Sequence, residues 1–429
     1  MTSILILIIF ITAYIVIMSE VINRGLAAGL GGVCMLLVGL YDIEVALFEH
    51  IDWNTIALLF AMMIIVNICS KSGIFEYTAI SLAQLVKGNG LLLLIMFSLL
   101  AAIGSAFLAN VTIAMLLVPI LFTLTRLLNL PPVPYLIAMI LACNIGGTAT
   151  LIGDPPNMMI GQAVDHFTFN SFLIHLSPIV AVIFLIVIVG LSILYRNQLY
   201  VSREKQLLLE SLIARKYIKK DGALLRSTGV LFVTTAGFVL HPFIHVDLTT
   251  VALAGALLLM LLTEPLYDTE EILKQVEWGT LFFFIGLFLL VGGLEEAGFI
   301  DELARKIIYV TEGDMKTTTI LILWATGLLS GFIDNIPFVA AMIPILHEFK
   351  ELGIVNLDPM WWSLALGACL GGNGTLLGSS SNLVIVGLAS KEKVYVHFRE
   401  FLLIGIPVVI LSLFISTIYI YFRYLRDFM

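Results

Sequence analysis

The sequence predicts an all-α polytopic membrane protein: an inverted repeat of two five-crossing halves, each with a re-entrant hairpin and an unwound transmembrane helix. Three observations carry that expectation. Hydrophobic residues make up 60% of the 429 residues and charged residues 12%, about half the charged share of an ordinary soluble domain, which is roughly 25%. A twelve-residue run occurs twice, GGTATLIGDPPN at 146–157 and GGNGTLLGSSSN at 371–382, at an offset of 225. Each copy breaks an apolar segment with Gly, Thr, Asn, Asp or Pro. Freed backbone groups are costly in lipid unless they face protein or water, so a repeated break reads as a built binding site.

In chain order, apolar runs long enough for a membrane crossing fall at 4–19, 25–40 and 54–70. The first has no preceding Lys or Arg and no small-residue cleavage site, so it reads as a retained span. A short amphipathic piece at 73–86 is expected at the interface. The long apolar stretch 91–128 is interrupted by Asn110 and Thr112, and 135–163 carries the first break. A crossing at 172–195 closes the first half. After the polar stretch 196–226 the pattern restarts, with runs at 228–244, 249–263, 279–293, 317–349, 361–389 and 401–422.

At the offset of 225, Trp53 meets Trp278, Gly73 meets Gly298, Ser105 meets Ser330, Asn110 meets Asn335, Pro119 meets Pro344 and Asn157 meets Asn382. The expected organisation is a first inverted repeat over 1–195, a cytoplasmic linker over 196–226 and a second inverted repeat over 227–429. Each half has five crossings if 91–128 and 317–349 are re-entrant hairpins, and seven if they are complete helix pairs. Either number is odd, so the second copy must be upside down. The turn at Ala109-Asn110-Val111-Thr112 carries no charge and its partner at Ile333-Asp334-Asn335-Ile336-Pro337 one Asp, which favours hairpins with tips at mid-membrane. Lys and Arg cluster in 196–226, including Arg215, Lys216, Lys219 and Lys220. Threading from there puts sixteen of the 22 basic residues, Arg24 among them, on the cytoplasmic side. Both termini are then expected outside, in a multi-pass protein of the cell (cytoplasmic) membrane.

No basic face or Lys/Arg run interleaved with aromatics occurs, so nucleic acid is not an expected partner. The expected partners are the lipid bilayer and a small-molecule or ion substrate. Cys34, Cys69, Cys143 and Cys369 lie in apolar runs without paired spacing and read as small buried hydrophobes.

If hairpin tips meet broken helices, each half supplies one site. The first would hold Asn110, Thr112, Thr148, Thr150, Asp154 and Asn157; the second Asp334, Asn335, Asn373, Thr375, Ser379 and Asn382. Such oxygen-rich sets suit a small hard cation, with sodium possible at Asn110, Thr150, Asp154, Asp334, Asn335 and Thr375. Asp154 stands opposite Ser379 across the repeat, and Asp334 opposite Ala109. Intramembrane carboxylates can couple proton or cation movement to transport. The alternative for each is a structural cap on the helix that follows. Asn67, His175 and Ser177 read as satisfied interhelical contacts. No cofactor is expected beyond a sodium ion or proton as coupling ion.

The hairpin pair ANVTIAMLLVP and DNIPFVAAMIP, with the pair IGGTATLIGDPPN and LGGNGTLLGSSSN, resembles the ion transporter superfamily. Within it the match is to the branch holding arsenite permeases, D-type sodium/proton antiporters and the P protein, over essentially the whole chain. The resemblance implies a scaffold plus a transport domain, an elevator-like movement and a homodimer. Related divalent anion/sodium symporters carry a Ser-Asn-Thr hairpin motif, replaced here by Ala109-Asn110-Val111-Thr112 and Asp334-Asn335-Ile336-Pro337. The P-protein branch carries Asp where this chain has Ala109.

Two acids and no Lys or Arg inside the expected core argue against a multiply charged anion, because unit charges about 4 Å apart repel by about 4 kcal/mol at an effective dielectric near 20. The expected function is therefore secondary active transport coupled to protons or sodium, with arsenite-type efflux or sodium/proton exchange first and sodium-coupled carboxylate transport (citrate- or dicarboxylate-like) as the alternative. A passive channel leaves the two inequivalent carboxylates unexplained. An intramembrane aspartyl protease would need its two acids to share a proton at about 3 Å and leaves the repeat unexplained.

Overall fold

The computed structural model describes residues 2–19, 21–39, 41–210, 222–354 and 356–426. The stretch 196–226 is therefore described only in part, and Arg215, Lys216, Lys219 and Lys220 lie outside the described residues. Among the described residues the regular structure is helical, with no strand. The first half contains α1 (Thr2–Ser19), α2 (Arg24–Leu37), the single turn α3 (Ile43–Val45), α4 (Trp53–Lys71), α5 (Ile74–Leu85), α6 (Gly90–Phe107), α7 (Asn110–Leu128), α8 (Val133–Gly147), α9 (Pro155–Ala163), α10 (Phe169–His175) and α11 (Ser177–Tyr195). The polar α12 (Arg203–Glu210) follows. Then come α13 (Ala223–Ile244), α14 (Leu248–Thr263), α15 (Thr269–Lys274), α16 (Trp278–Glu296), α17 (Phe299–Val310), α18 (Met315–Ser330), α19 (Asn335–Glu351), α20 (Asp358–Gly371), α21 (Ser380–Lys391) and α22 (Phe398–Ile420).

Among the described residues, α4, α6, α7, α11, α13, α16 and α22 with its continuation to Leu425 are long and apolar enough to cross a membrane. The chain is a multi-pass membrane protein.

The repeat in the sequence is a repeat of helix boundaries. Helices α4 to α9 start at Trp53, Ile74, Gly90, Asn110, Val133 and Pro155; α16 to α21 start at Trp278, Phe299, Met315, Asn335, Asp358 and Ser380, each 225 later. Local chemistry sets these starts. Gly73 (φ 80°) and Gly298 (φ 75°) take the left-handed conformation that ends one helix and opens the next. Asn89 caps α6 through the Leu92 N–H at 3.0 Å, and Asp314 caps α18 through the Thr317 N–H at 2.8 Å.

Helices α8 and α20, apolar all round, are buried along nearly their whole length and form the centre of the molecule. They lie against α6 and α18 respectively. Gly146 faces the Ala102 backbone so closely that any Cβ there would overlap it. Each long apolar stretch is a helix pair broken at its middle. Leu108 is extended (φ −134°, ψ 151°), Ala109 turns the chain, and Ala109 and Asp334 share the same backbone conformation. The first residues after these turns, Asn110 and Asn335, are 4% and 3% exposed, so both tips end inside the protein. The later halves of the broken segments cross over: α9 packs on α19 and α21 packs on α7.

Candidate functional site

Between α8 and α9, and between α20 and α21, the chain leaves the helix and returns. Asn157 and Asn382 hold these breaks in shape. The Asn157 Nδ2 donates to the carbonyls of Thr148 (3.1 Å) and Thr150 (2.9 Å). The Asn382 Nδ2 donates to those of Gly372 (2.8 Å) and Thr375 (3.1 Å). Carbonyls released by the break are thus paired by a side chain seven to ten residues on.

The second atom of each amide is used across the repeat. Asn144 in α8 donates to Asn382 Oδ1 (3.0 Å), and Cys369 in α20 donates its thiol to Asn157 Oδ1 (3.5 Å). Positions 144 and 369 are themselves 225 apart, so the contact is reciprocal: each half's central helix closes the other half's break. Asn144 also donates to Asn373 Oδ1 (3.0 Å) and accepts from Ser381 Oγ (3.3 Å). Sequence reasoning missed Asn144 altogether and read Cys369 as packing. Their shared register across the repeat was the available signal.

The remaining hydroxyls of the expected sets largely support the breaks. Thr148 donates to the Asn144 carbonyl (2.8 Å) and Thr150 to the Ala106 carbonyl. Thr375 Oγ1 accepts from the Leu377 N–H (3.1 Å), and Ser379 pairs with Ser381 (3.0 Å). Thr112 is buried in the first turns of α7.

Both hairpin tips and both breaks meet around one cavity of about 50 Å³. Asn110, Asp154, Asn335 and Ser379 line it; Arg24, Glu277 and Thr280 complete the wall. It has room for an ion or a few water-sized groups, far less than the roughly 300–1,000 Å³ of a drug-sized pocket. The expectation groups these residues by half, whereas this cavity brings residues of both halves together. The reason is the crossover of α9 and α21, which carries Asp154 to the tip of the other half's hairpin. There the Asn335 Nδ2 donates to Asp154 Oδ2 at 3.2 Å. Of the residues named for sodium, Asn110, Asp154 and Asn335 line this cavity, whereas Thr150 and Thr375 make the break contacts above. Among the described residues no three His, Cys, Asp or Glu side chains gather as a metal site.

The two acids are held differently. Asp154 begins α9 but its side chain makes no capping bond. Pro155 and Pro156 occupy the first helical positions and have no N–H to offer, so the carboxylate turns to Asn335 instead. Asp334 does cap α19, its Oδ1 accepting from the Ile336 N–H (3.4 Å). Its Oδ2 accepts from Arg24 Nη1 at 3.0 Å, an ion pair. Asp334 and Arg24 also line a second cavity of about 30 Å³ with Tyr14 and Pro337. Arg24 corrects the expectation of a core without Lys or Arg. As the first residue of α2 it had the look of a loop charge, yet its side chain reaches the second hairpin tip.

Asn67, His175 and Ser177 all have partners. Asn67 donates to the Gln275 carbonyl (3.0 Å), Ser177 to the Ala149 carbonyl (2.8 Å), and His175 pairs with the Tyr424 hydroxyl while stacking on Trp362.

Comparison with known proteins agrees with this architecture. Residues 14–367 match the model of the CitMHS family, described as citrate transporter. An uncharacterized transporter of Mycobacterium bovis is 37% identical over 421 residues, covering 97% of both chains. A 46 kDa membrane protein of Mycobacterium leprae is 37% identical, covering 99% of both. The P protein of Mus musculus is 34% identical over 95% of this chain and 58% of its own length. Among solved structures, the YdaH transporter of Alcanivorax borkumensis, described as having an unusual topology, superposes with a TM-score of 0.59 at 13% identity, covering 88% of this chain and 87% of its own. The protease alternative falls away, since the family and the Mycobacterium bovis relative are described as transporters. The chain belongs to the citrate transporter family, in the ion transporter superfamily.

Proposed function

We propose that this chain is a secondary active transporter in which Asp154 is the coupling carboxylate, exchanging a proton or sodium ion as a small solute crosses. The observation that carries the reading is the setting of Asp154. It is 3% exposed, faces the cavity between hairpins and breaks, is held by the neutral Asn335 amide, and enters no ion pair among the described residues. A buried carboxylate that enters no ion pair is costly unless a proton or cation accompanies it. The cavity's small volume suits an ion better than a large solute in this arrangement. Arsenite-type efflux of a neutral oxyacid and sodium/proton exchange are the leading cargoes.

A specific observation favours a second reading, sodium-coupled carboxylate transport. Arg24 supplies a positive charge at the cavity wall, and the family takes its description from citrate. On either reading we place the protein in the cell membrane with both termini outside and 196–226 cytoplasmic, its halves inverted and its hairpins re-entrant, working as an elevator-like homodimer. The test is a solute screen in proteoliposomes under imposed proton and sodium gradients, read by counterflow with arsenite and citrate among the solutes. Gradient-driven accumulation lost in Asp154→Asn is the expected result. No accumulation under either gradient would overturn the proposal.

A further inference from the structure

The Arg24–Asp334 pair breaks the internal symmetry of the molecule. Asp334 stands opposite Ala109, and α14, the counterpart of α2 in the other half, begins Leu248-Thr249-Thr250 and carries no Lys or Arg, so neither charge has a counterpart. The neighbouring contact is equally one-sided: the Tyr14 hydroxyl of α1 donates to the Pro337 carbonyl at 2.7 Å, whereas α13, the counterpart of α1, contains no Tyr. The second hairpin tip is thus held to α1 and α2 by a charge pair and a hydrogen bond that the first tip lacks.

Arg24 is also placed between two spaces. Its side chain lines the cavity behind Asp334 and the cavity that holds Asp154 and Glu277, and its guanidinium lies over the Phe283 ring at 5.3 Å. An arginine on a flexible stem, resting on an aromatic face, can change partner at little cost while staying over the ring. Asp334 has one oxygen on the Ile336 N–H and gives the other to Arg24. That second oxygen is where an external cation would have to bind. The fold has filled the place with a cation of its own.

We propose that Arg24 is a built-in competitor for sodium at Asp334: a sodium ion entering at the second hairpin tip displaces the guanidinium, which then turns to the carboxylates of the adjoining cavity, Asp154 and Glu277. This rests on the reading of that cavity as the place where a coupling cation acts. It assigns Arg24 a positioning role, since one internal cation serves Asp334 on one side and Asp154 with Glu277 on the other, and only one side is open to an external cation at a time.

Equilibrium binding of radioactive sodium to the purified full-length chain in nanodiscs tests the proposal without requiring any flux. Arg24→Gln is expected to lower the sodium Kd about tenfold. Arg24→Lys, which keeps the charge, should remain near wild type. The double variant Arg24→Thr with Asp334→Ala recreates the uncharged pair of the other half and should lose the gain. Sodium binding by Arg24→Gln no tighter than by wild type would overturn the idea. Should Arg24→Gln fail to fold, the wild-type chain still decides it: sodium, compared with choline, is expected to speed modification of Arg24 by phenylglyoxal, mapped by mass spectrometry, and an unchanged rate refutes the displacement. Asp154→Asn separates the two proposals, because loss of coupled flux there concerns Asp154, while the effect of Arg24→Gln on sodium binding should persist in its background.

Discussion

Asn157 and Asn382 each do three things at once, closing two backbone carbonyls of a break with the amide nitrogen and receiving a bond from the other half on the oxygen. Replacing either by Ala strands those carbonyls in a dry interior, at about 1–3 kcal/mol for each unsatisfied group. Asn157→Ala and Asn382→Ala are expected to lower the thermal unfolding midpoint in detergent markedly, and a midpoint within a degree or so of wild type would refute the assignment. Asp334→Asn, by contrast, keeps an oxygen for the Ile336 N–H and is expected to fold while abolishing coupled transport in proteoliposomes. Unchanged flux with unchanged pH dependence would remove Asp334 from the coupling. Both acids and the tip asparagines were legible in the sequence, because polar residues in long apolar runs stand out. Arg24, Asn144 and Cys369 were not, since a charge at a helix start looks like a loop charge and a thiol in an apolar run looks like packing. Their roles exist only once the other half is in place.

At the level of helices, the sequence revealed starts and breaks but not crossovers. Turn residues, caps and the repeat fix where α4 to α9 and α16 to α21 begin, for these are local signals. Which hairpin each broken helix joins is a long-range choice made by packing, and grouping residues by half missed it. The close approach of α8 to α6 can be tested at Gly146, where the Ala102 backbone leaves no room for a Cβ. Gly146→Ala is expected to destabilise by about 1–3 kcal/mol through overpacking, read as a lower melting temperature, whereas Gly29→Ala, on an open helix face, should be silent. The cap on α18 offers a pH test outside the membrane-spanning segments. The Thr317 hydroxyl and N–H donate to the Asp314 carboxyl and hold it below its ordinary value. A depressed carboxyl stabilises the fold above its unfolded value, and that contribution is lost as pH falls through the folded value. Asp314→Ala should therefore lower the melting temperature at neutral pH and match wild type in strong acid; a difference that does not narrow with acidification would refute the cap.

For the molecule as a whole, the proposed inversion makes a plain demand on accessibility. Single cysteines introduced near Lys216 and Glu312 should label from opposite sides of the membrane in oriented vesicles, and labelling of both from one side would refute the inverted arrangement. The odd number of crossings per half and the bias of Lys and Arg support this expectation from the sequence alone. The inversion is independent of helix length, because hairpins and complete helix pairs both give an odd number of crossings per half.

The bonds from position 144 to 382 and from 369 to 157 have the form of an isologous interface, in which a residue i touches j on its partner and j of the first touches i of the second. Two separate half-length copies related by a twofold axis would make a pair of contacts of that same form. In the single chain, asparagine stands at one end of the contact and cysteine at the other, and acid stands in the break of one half and at the hairpin of the other. A self-associating half with identical partners could never have held such a division of labour.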